Sequence, residues 1–338
     1  MKILQLGQQP EVEINYEAIE VAPGEYIAWD HLDGFDGNYR STVLDLFDTG
    51  IVHTEYILPE QVKNRYANLD LRFDATMMIT NNHLQGFYSY VQPIPQKFST
   101  NFVSCFNKTR SKPKQEILLL LYANGWFSSE HWSKCFKINL DEAKEFFGYI
   151  NRPEPVDLAE FCDTIYQFEL SGYGNVKGDL NILGPKIQDS FIHVVTETIG
   201  ASPVPFPTEK VMLPLANKTL WLAYAPAGYH TMVEKHLGFK QYKLINYDFD
   251  AIQDSRMRLL KIEQELKKLF SLTQAEKGHL YSINQEVIEY NYNLIKSGEF
   301  LNILKNQDQT TNTVKAYRQQ IMQSRRYWNF IDHSSIKK

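Results

Sequence analysis

Cysteine is scarce and scattered. Cys105, Cys135 and Cys162 form no CxxC pair and are odd in number, which argues against a disulfide framework and against a structural zinc site. No run approaches the ~18 apolar residues of a membrane span. The opening MKILQLGQQPEVEIN is too soon interrupted for a cleavable leader, so the chain is expected in the cytoplasm, at a membrane periphery, or exported without such a signal. Neither GxGxxG nor GxxxxGK occurs, which sets aside a Rossmann dehydrogenase and a P-loop ATPase. HExxH is missing too, and His230 and His236 do not have the i,i+4 spacing of helical zinc ligands. A net charge of −5 leaves no broad basic surface for nucleic acid.

What is present reads as alternating short strands and helices. The 338 residues suffice for two domains, each with its own core. Residues 1–97 read as an N-terminal α/β domain with strands at Met1–Leu6, Glu25–Trp29 and Thr76–Thr80, and helical segments near Tyr39–Phe47 and Pro59–Ala67. Gln92-Pro93-Ile94-Pro95 breaks the chain before a second α/β domain, 98–254. From there a polar, helical C-terminal extension, 255–338, begins, with helices expected over Arg256–Phe270, Gln274–Ile295 and Asn312–Ser324. A Gly-rich polar loop is expected over Ser171–Asp179.

The chain is organised around 189–242. Ser190–Val195 is an apolar, β-rich run ending in Thr196-Glu197-Thr198, where an open parallel sheet presents polar groups at its carboxyl edge. A loop with three prolines and a glycine follows over Ile199–Pro207, then Thr208-Glu209-Lys210 opens a helix with Thr208 as N-cap. Glu209 complements the helix dipole. Lys210 opposes it, unless an anion sits there, and phosphate is the usual one. A carboxylate that takes ribose hydroxyls beside an ammonium and free backbone N–H groups makes a nucleotide-diphosphate seat. A second basic cluster, Lys108, Arg110, Lys112 and Lys114, lies between the strand Phe98–Phe106 and an apolar helix, where either a phosphate or solvent can meet it.

At these residues the chain resembles the donor-binding motif of the alpha-1,3-fucosyltransferases and of related bacterial and viral glycosyltransferase-like proteins. The matching parts are Phe191–Glu197, Thr208-Glu209-Lys210, the apolar strand and turn Thr219–Gly228, and Leu237-Gly238-Phe239-Lys240. It departs from that pattern at Thr198-Ile199 and Met212-Leu213-Pro214, which leaves the donor sugar open; Pro214 should kink or shorten its helix. The resemblance implies a GT-B-like α/β architecture, two Rossmann-like domains facing a cleft, and transfer of a sugar from a nucleotide-diphosphate donor to a hydroxyl acceptor such as a saccharide. Inversion at the anomeric carbon, without metal or other cofactor, is implied as well. On this reading Glu209 binds ribose, and Lys210, Arg110 and Lys114 hold the pyrophosphate. Asn107 contacts the nucleotide, Thr208 caps the helix, and Glu197 faces the sugar or sets the helix. The acceptor's proton would go to the N-terminal domain, with Asp30, His31 and Asp33 as candidates. The rival is a non-catalytic protein that keeps a nucleotide-sugar or partner pocket.

Two further features bear on function. Asp248-Phe249-Asp250 is a formal DxD, the metal-holding pair of another transferase architecture, although its place after the donor stretch counts against that role. Lys315, Arg318, Arg325 and Arg326 give the C-terminus a basic end that can touch an anionic membrane or pack on the N-terminal domain.

Overall fold

The computed structural model describes residues 3–5, 17–29, 38, 40–41, 43–54, 56–75, 103–107, 111–126, 131–166, 176–197, 204–312 and 314–316. The chain divides into two compact units, Met1–Thr80 with Leu304–Lys338, and Asn81–Ile303. Both are α/β. In this division the helices of 255–303 belong with the second sheet, where the sequence reading set 255–338 apart.

The first unit holds a five-stranded sheet, β1 (Ile3–Gln5), β2 (Glu17–Ala22), β3 (Glu25–Trp29), β4 (Gly50–Thr54) and β5 (Leu69–Phe73), in sequence order. The first two pairings are antiparallel and the last two parallel. β2 and β3 turn at Pro23-Gly24, where Gly24 has φ +74°, a conformation open to glycine at little cost. Helix α1 (Glu60–Arg65) connects β4 to β5, with Glu60 in its first turn and Lys63 and Arg65 in its last, each complementing the helix dipole. Ile27, Val52 and Val62 are fully buried and form the centre of this core. Beside them the Tyr66 hydroxyl accepts from the Ser41 N–H at 2.7 Å and donates to Asp45 Oδ1 at 2.9 Å. Gln309 covers β5: its N–H donates to Phe73 O at 2.9 Å and its Oε1 accepts from Phe73 N at 3.2 Å. An otherwise open strand edge is thereby paired. Of the expected elements here, Thr76–Thr80 lies outside the described residues, and the described residues of Tyr39–Phe47 hold a 3₁₀ turn at Leu44–Leu46 where a helix was expected.

The second unit is built on a wholly parallel sheet ordered β7-β6-β8-β9, from β6 (Val103–Asn107), β7 (Trp132–Lys134), β8 (Ile192–Thr196) and β9 (Leu220–Tyr224). β8 and β9 are buried at every residue, as strands covered on both faces must be, and their sequences IHVVT and LWLAY are accordingly near-continuous apolar runs. Helix α2 (Lys112–Ala123) connects β6 to β7. Between β7 and β8 come α3 (Leu140–Tyr149), α4 (Leu158–Asp163) and α5 (Val176–Gln188), and α6 (Glu209–Ala216) connects β8 to β9. β7 and β8 lie on opposite sides of β6. The strand order therefore reverses between β6 and β8, and right-handed crossovers put α2 on one face and α5 with α6 on the other.

The remaining helices complete the layers. α7 (Tyr229–Leu237) ends at Gly238, φ +81°, whose N–H donates to Glu234 O at 3.1 Å; this is the Leu-Gly-Phe turn expected from the sequence. α8 (Ser255–Ser271) lies on the α2 side, where Asn124 and Arg152 both donate to Glu263. α9 (Gln274–Ile283) and α10 (Gln285–Ser297) replace the single helix expected over 274–295. The break is at Asn284, fully buried, whose side chain bonds the backbone of Lys243 in both directions. The loop expected over Ser171–Asp179 is helical from Val176; packing of α5 on α6 outweighs the ~1 kcal/mol cost of Gly178 in a helix. No helix among the described residues is long and apolar enough to cross a membrane. Of the basic C-terminal residues, Lys315 pairs with Asp308 at 3.0 Å, and Arg318, Arg325 and Arg326 lie outside the described residues.

Candidate functional site

The carboxyl ends of β6 and β8 meet where the strand order reverses, the position at which open parallel sheets bind ligands. Val103 pairs with Ile192 and Ser104 with His193, and continuing that register sets Asn107 level with Thr196. Side chains alternate along each strand, so these two strand ends present different residues to the two faces.

On the α2 face stand Cys105, Asn107 and Thr196. Cys105 Sγ is 3.8 Å from Thr196 Oγ1, and Asn107 Nδ2 donates to Cys105 Sγ at 3.2 Å. Asn107 is fully buried, and its Oδ1 meets no polar partner among the described residues. Lys114, in the first turn of α2, is 2% exposed. Burial pushes the Cys105 thiol up to about 11, while the nearby Lys114 ammonium pulls the other way. Cys105 therefore stays a thiol at neutral pH, with the Lys114 side chain close beneath this strand end. α2 begins at Ser111, an N-cap whose side chain makes no capping bond and whose buried Oγ has no polar partner among the described residues. A helix start of this kind, with a buried ammonium beside it, favours an anion.

On the α6 face stands Glu197, directly after β8 and 1% exposed. Its Oε1 accepts from the Thr208 N–H at 3.0 Å and from the Tyr229 hydroxyl at 2.6 Å; its Oε2 accepts from Thr208 Oγ1 at 2.7 Å and lies 3.7 Å from Lys210 Nζ. Thr208 Oγ1 in turn receives Lys210 N at 3.4 Å and Lys210 Nζ at 3.0 Å. Both oxygens of Glu197 are thus engaged by the chain itself. It fixes the start of α6 and orients Lys210, an arrangement that fits the helix-setting one of the two roles the sequence left open. Pro214 sits inside α6, which is only eight residues long, in keeping with the shortening expected from a residue that cannot donate.

The structure therefore brings Asn107, Lys114, Glu197, Thr208 and Lys210 to one edge of one sheet, flanked by the starts of α2 and α6. Arg110, the side chain of Glu209, and Asp30, His31 and Asp33 lie outside the described residues. In the first unit, β3 and the neighbouring β4 share a pair that the sequence reading missed. His53 Nε2 lies 2.8 Å from Glu25 Oε1, while its Nδ1 meets no polar partner among the described residues. A carboxylate-oriented imidazole with its second nitrogen free has the parts of a proton acceptor, although His53 is fully buried. The signal was weak, since Glu25 and His53 are far apart in sequence. Tyr229 was missed as well; its place just after the β9 turn, on the same sheet edge as Glu197, is what could have marked it.

The DxD resolves differently. Asp250 is 5% exposed; its Oδ1 accepts from His230 N at 2.9 Å and its Oδ2 from Thr231 N at 3.0 Å and Thr231 Oγ1 at 2.9 Å. It caps α7, whose own N-cap, Gly228, has no side chain to offer. Asp248 is engaged with Asn246, and no group of three His, Cys, Asp or Glu able to hold a metal is present among the described residues. Asp250→Ala is expected to cost about 3 kcal/mol, in line with hydrogen bonds to a buried charge. A urea midpoint that falls with an unchanged slope would bear this out; a change under about 0.5 kcal/mol would mean that the cap is dispensable.

Compared with protein-family models, curated proteins and solved structures, the chain matches none.

Proposed function

We propose that the parallel-sheet unit seats a nucleotide-diphosphate sugar where β6 and β8 end, and that the protein transfers the sugar to a hydroxyl acceptor in the manner of an inverting, metal-independent transferase of the GT-B type. The observation that carries this is that the helices following β6 and β8, the two strands where the order reverses, each carry a lysine in their first turn. Buried Lys114 belongs to the start of α2, and Lys210, oriented by Glu197 and Thr208, to the start of α6. A diphosphate between them would meet an ammonium on either side and the positive ends of two helices.

In the transfer, the acceptor oxygen attacks the anomeric carbon from the face opposite the leaving group. The bond from that carbon to the diphosphate oxygen breaks with its electrons, and the acceptor's proton passes to a base, for which Asp30, His31 and Asp33 remain the proposed candidates. The two lysines stabilise charge that grows on the leaving diphosphate, a contribution that counts because it is larger in the transition state than in the ground state. Arg110 and Glu209 complete the proposed seat on the pyrophosphate and ribose. Glu197 acts as a positioning residue.

Engagement of both Glu197 oxygens by the chain favours a second reading, a nucleotide-sugar binder without turnover. Release of nucleoside diphosphate from a panel of nucleotide sugars separates the two. The enzyme hydrolyses one donor slowly without acceptor, and Lys210→Ala lowers that rate about 10²-fold. A donor that binds but yields no diphosphate, with or without saccharide acceptors, leaves the binder.

A further inference from the structure

A cavity in the parallel-sheet unit lies between α2, α3 and the start of α8. Its volume is about 510 Å³, within the ~300–1,000 Å³ of small-molecule sites. Leu119, Ile138 and Phe146 give it an apolar floor. Its polar walls carry both signs: Lys112 and Arg256 against Glu116, Glu142 and Glu145. Arg256 is held in place, its Nε 3.4 Å from Glu116 Oε1, its Nη2 3.9 Å from Glu145 Oε1 and its guanidinium 3.9 Å from the centre of the Tyr149 ring. Glu116 Oε2 also accepts from the Tyr224 hydroxyl at 2.8 Å, and Gln115 Nε2 donates to Glu142 at 3.2 Å. The cavity reaches Ser111, whose buried hydroxyl has no polar partner among the described residues.

This lining selects by charge balance. Three carboxylates disfavour an anion, and a guanidinium with an ammonium disfavour a cation. A neutral ligand with many hydroxyls satisfies both sets at once, since each hydroxyl donates to a carboxylate and accepts from Arg256, Lys112 or Gln115. Bonds to ionised partners are the stronger kind, and the apolar floor receives a C–H face. Tyr149, 47% exposed, offers a further ring at the margin. We propose that this cavity is a saccharide-binding groove. Its use for the acceptor rests on the proposed transfer, because it begins at the α2 start that also borders the donor seat; the binding of sugar there does not.

Saturation-transfer NMR with lactose, maltose, cellobiose and mannobiose at millimolar concentration, without nucleotide, tests the groove. At least one disaccharide is expected to receive saturation, and the double variant Glu142→Ala/Glu145→Ala, at two exposed wall positions, to weaken its binding at least tenfold while melting within a few degrees of the unsubstituted protein. Saturation of none of the four overturns the groove, as does binding that the double variant leaves unchanged. Nucleoside diphosphate binding to the same samples keeps the two ideas apart. Sugar binding lost in the variant, with no nucleotide response, upholds the groove and removes the transferase; a nucleotide response with no sugar binding overturns the groove alone.

Discussion

The parallel-sheet unit is expected to lose about 6 kcal/mol of stability between pH 6.5 and pH 4, through two buried histidines. His193, on β8, is 3% exposed and burial lowers its pKa to about 3; its Nδ1 is 2.7 Å from Ser104 Oγ. His230, on α7, is 2% exposed and stacks on Trp221 at 4.7 Å. Its Nε2 accepts from the Ala223 N–H at 3.1 Å, a bond that requires the neutral ring. Burial lowers its pKa to about 4, against the pull of Asp250. Both rings stay neutral in the fold while the unfolded chain protonates them below the ordinary value of 6.5. The unfolded state then binds more protons, so stability is complete above pH 6.5 and falls as the pH drops, by about 1.4 kcal/mol per unit and per histidine. The loss is comparable with the whole stability of a typical domain, about 5–15 kcal/mol. Urea unfolding followed by tryptophan fluorescence at pH 7, 6, 5 and 4.5 measures the slope, and His193→Asn should halve it. A flat profile over that range would show that these rings are protonated in the fold or open to water.

Glu197→Ala is expected to destabilise the same unit by about 3–5 kcal/mol, the cost of removing one partner from a buried, charged network. Its removal would leave the Thr208 N–H and hydroxyl and the Tyr229 hydroxyl without their acceptor, and would free Lys210 Nζ from the geometry set by Thr208 and Glu197. Glu197→Gln should cost less, about 1–2 kcal/mol, because one amide oxygen still accepts while the NH₂ faces donors. The two variants separate structure from ligand binding. If Glu197 only positions, nucleotide affinity falls in proportion to how far the start of α6 is disturbed, and Glu197→Gln keeps most of it. Equal loss in Glu197→Gln and Glu197→Ala, at nearly native stability of the former, would instead mean that the carboxylate meets the ligand.

Much of 189–242 was legible because its signals are local. Prolines end the loop after β8, Thr208 caps α6 on its own backbone, and β8 and β9 are near-continuous apolar runs since both faces are covered. Four strands were not legible. β2, β4, β5 and β7 are short and mixed in polarity, as in LDLRF and WSK, and are strands because neighbours pair with them. The same holds for the site's supports. Asp250 caps a helix some twenty residues before it, Tyr229 reaches back across the sheet edge to Glu197, and Asn284 splits a helix to satisfy Lys243. Each depends on a partner distant in sequence, and none leaves a periodic trace.

Thermal unfolding with ADP, GDP, UDP, CDP and TDP tests most directly whether the β6/β8 edge binds a nucleotide diphosphate. One of them, at 100-fold over its dissociation constant, should stabilise the protein by about 2.7 kcal/mol. Lys210→Ala and Lys114→Met, each read against its own ligand-free baseline, should lose most of that gain. No stabilisation by any of the five, or the same stabilisation in both variants, would contradict the account.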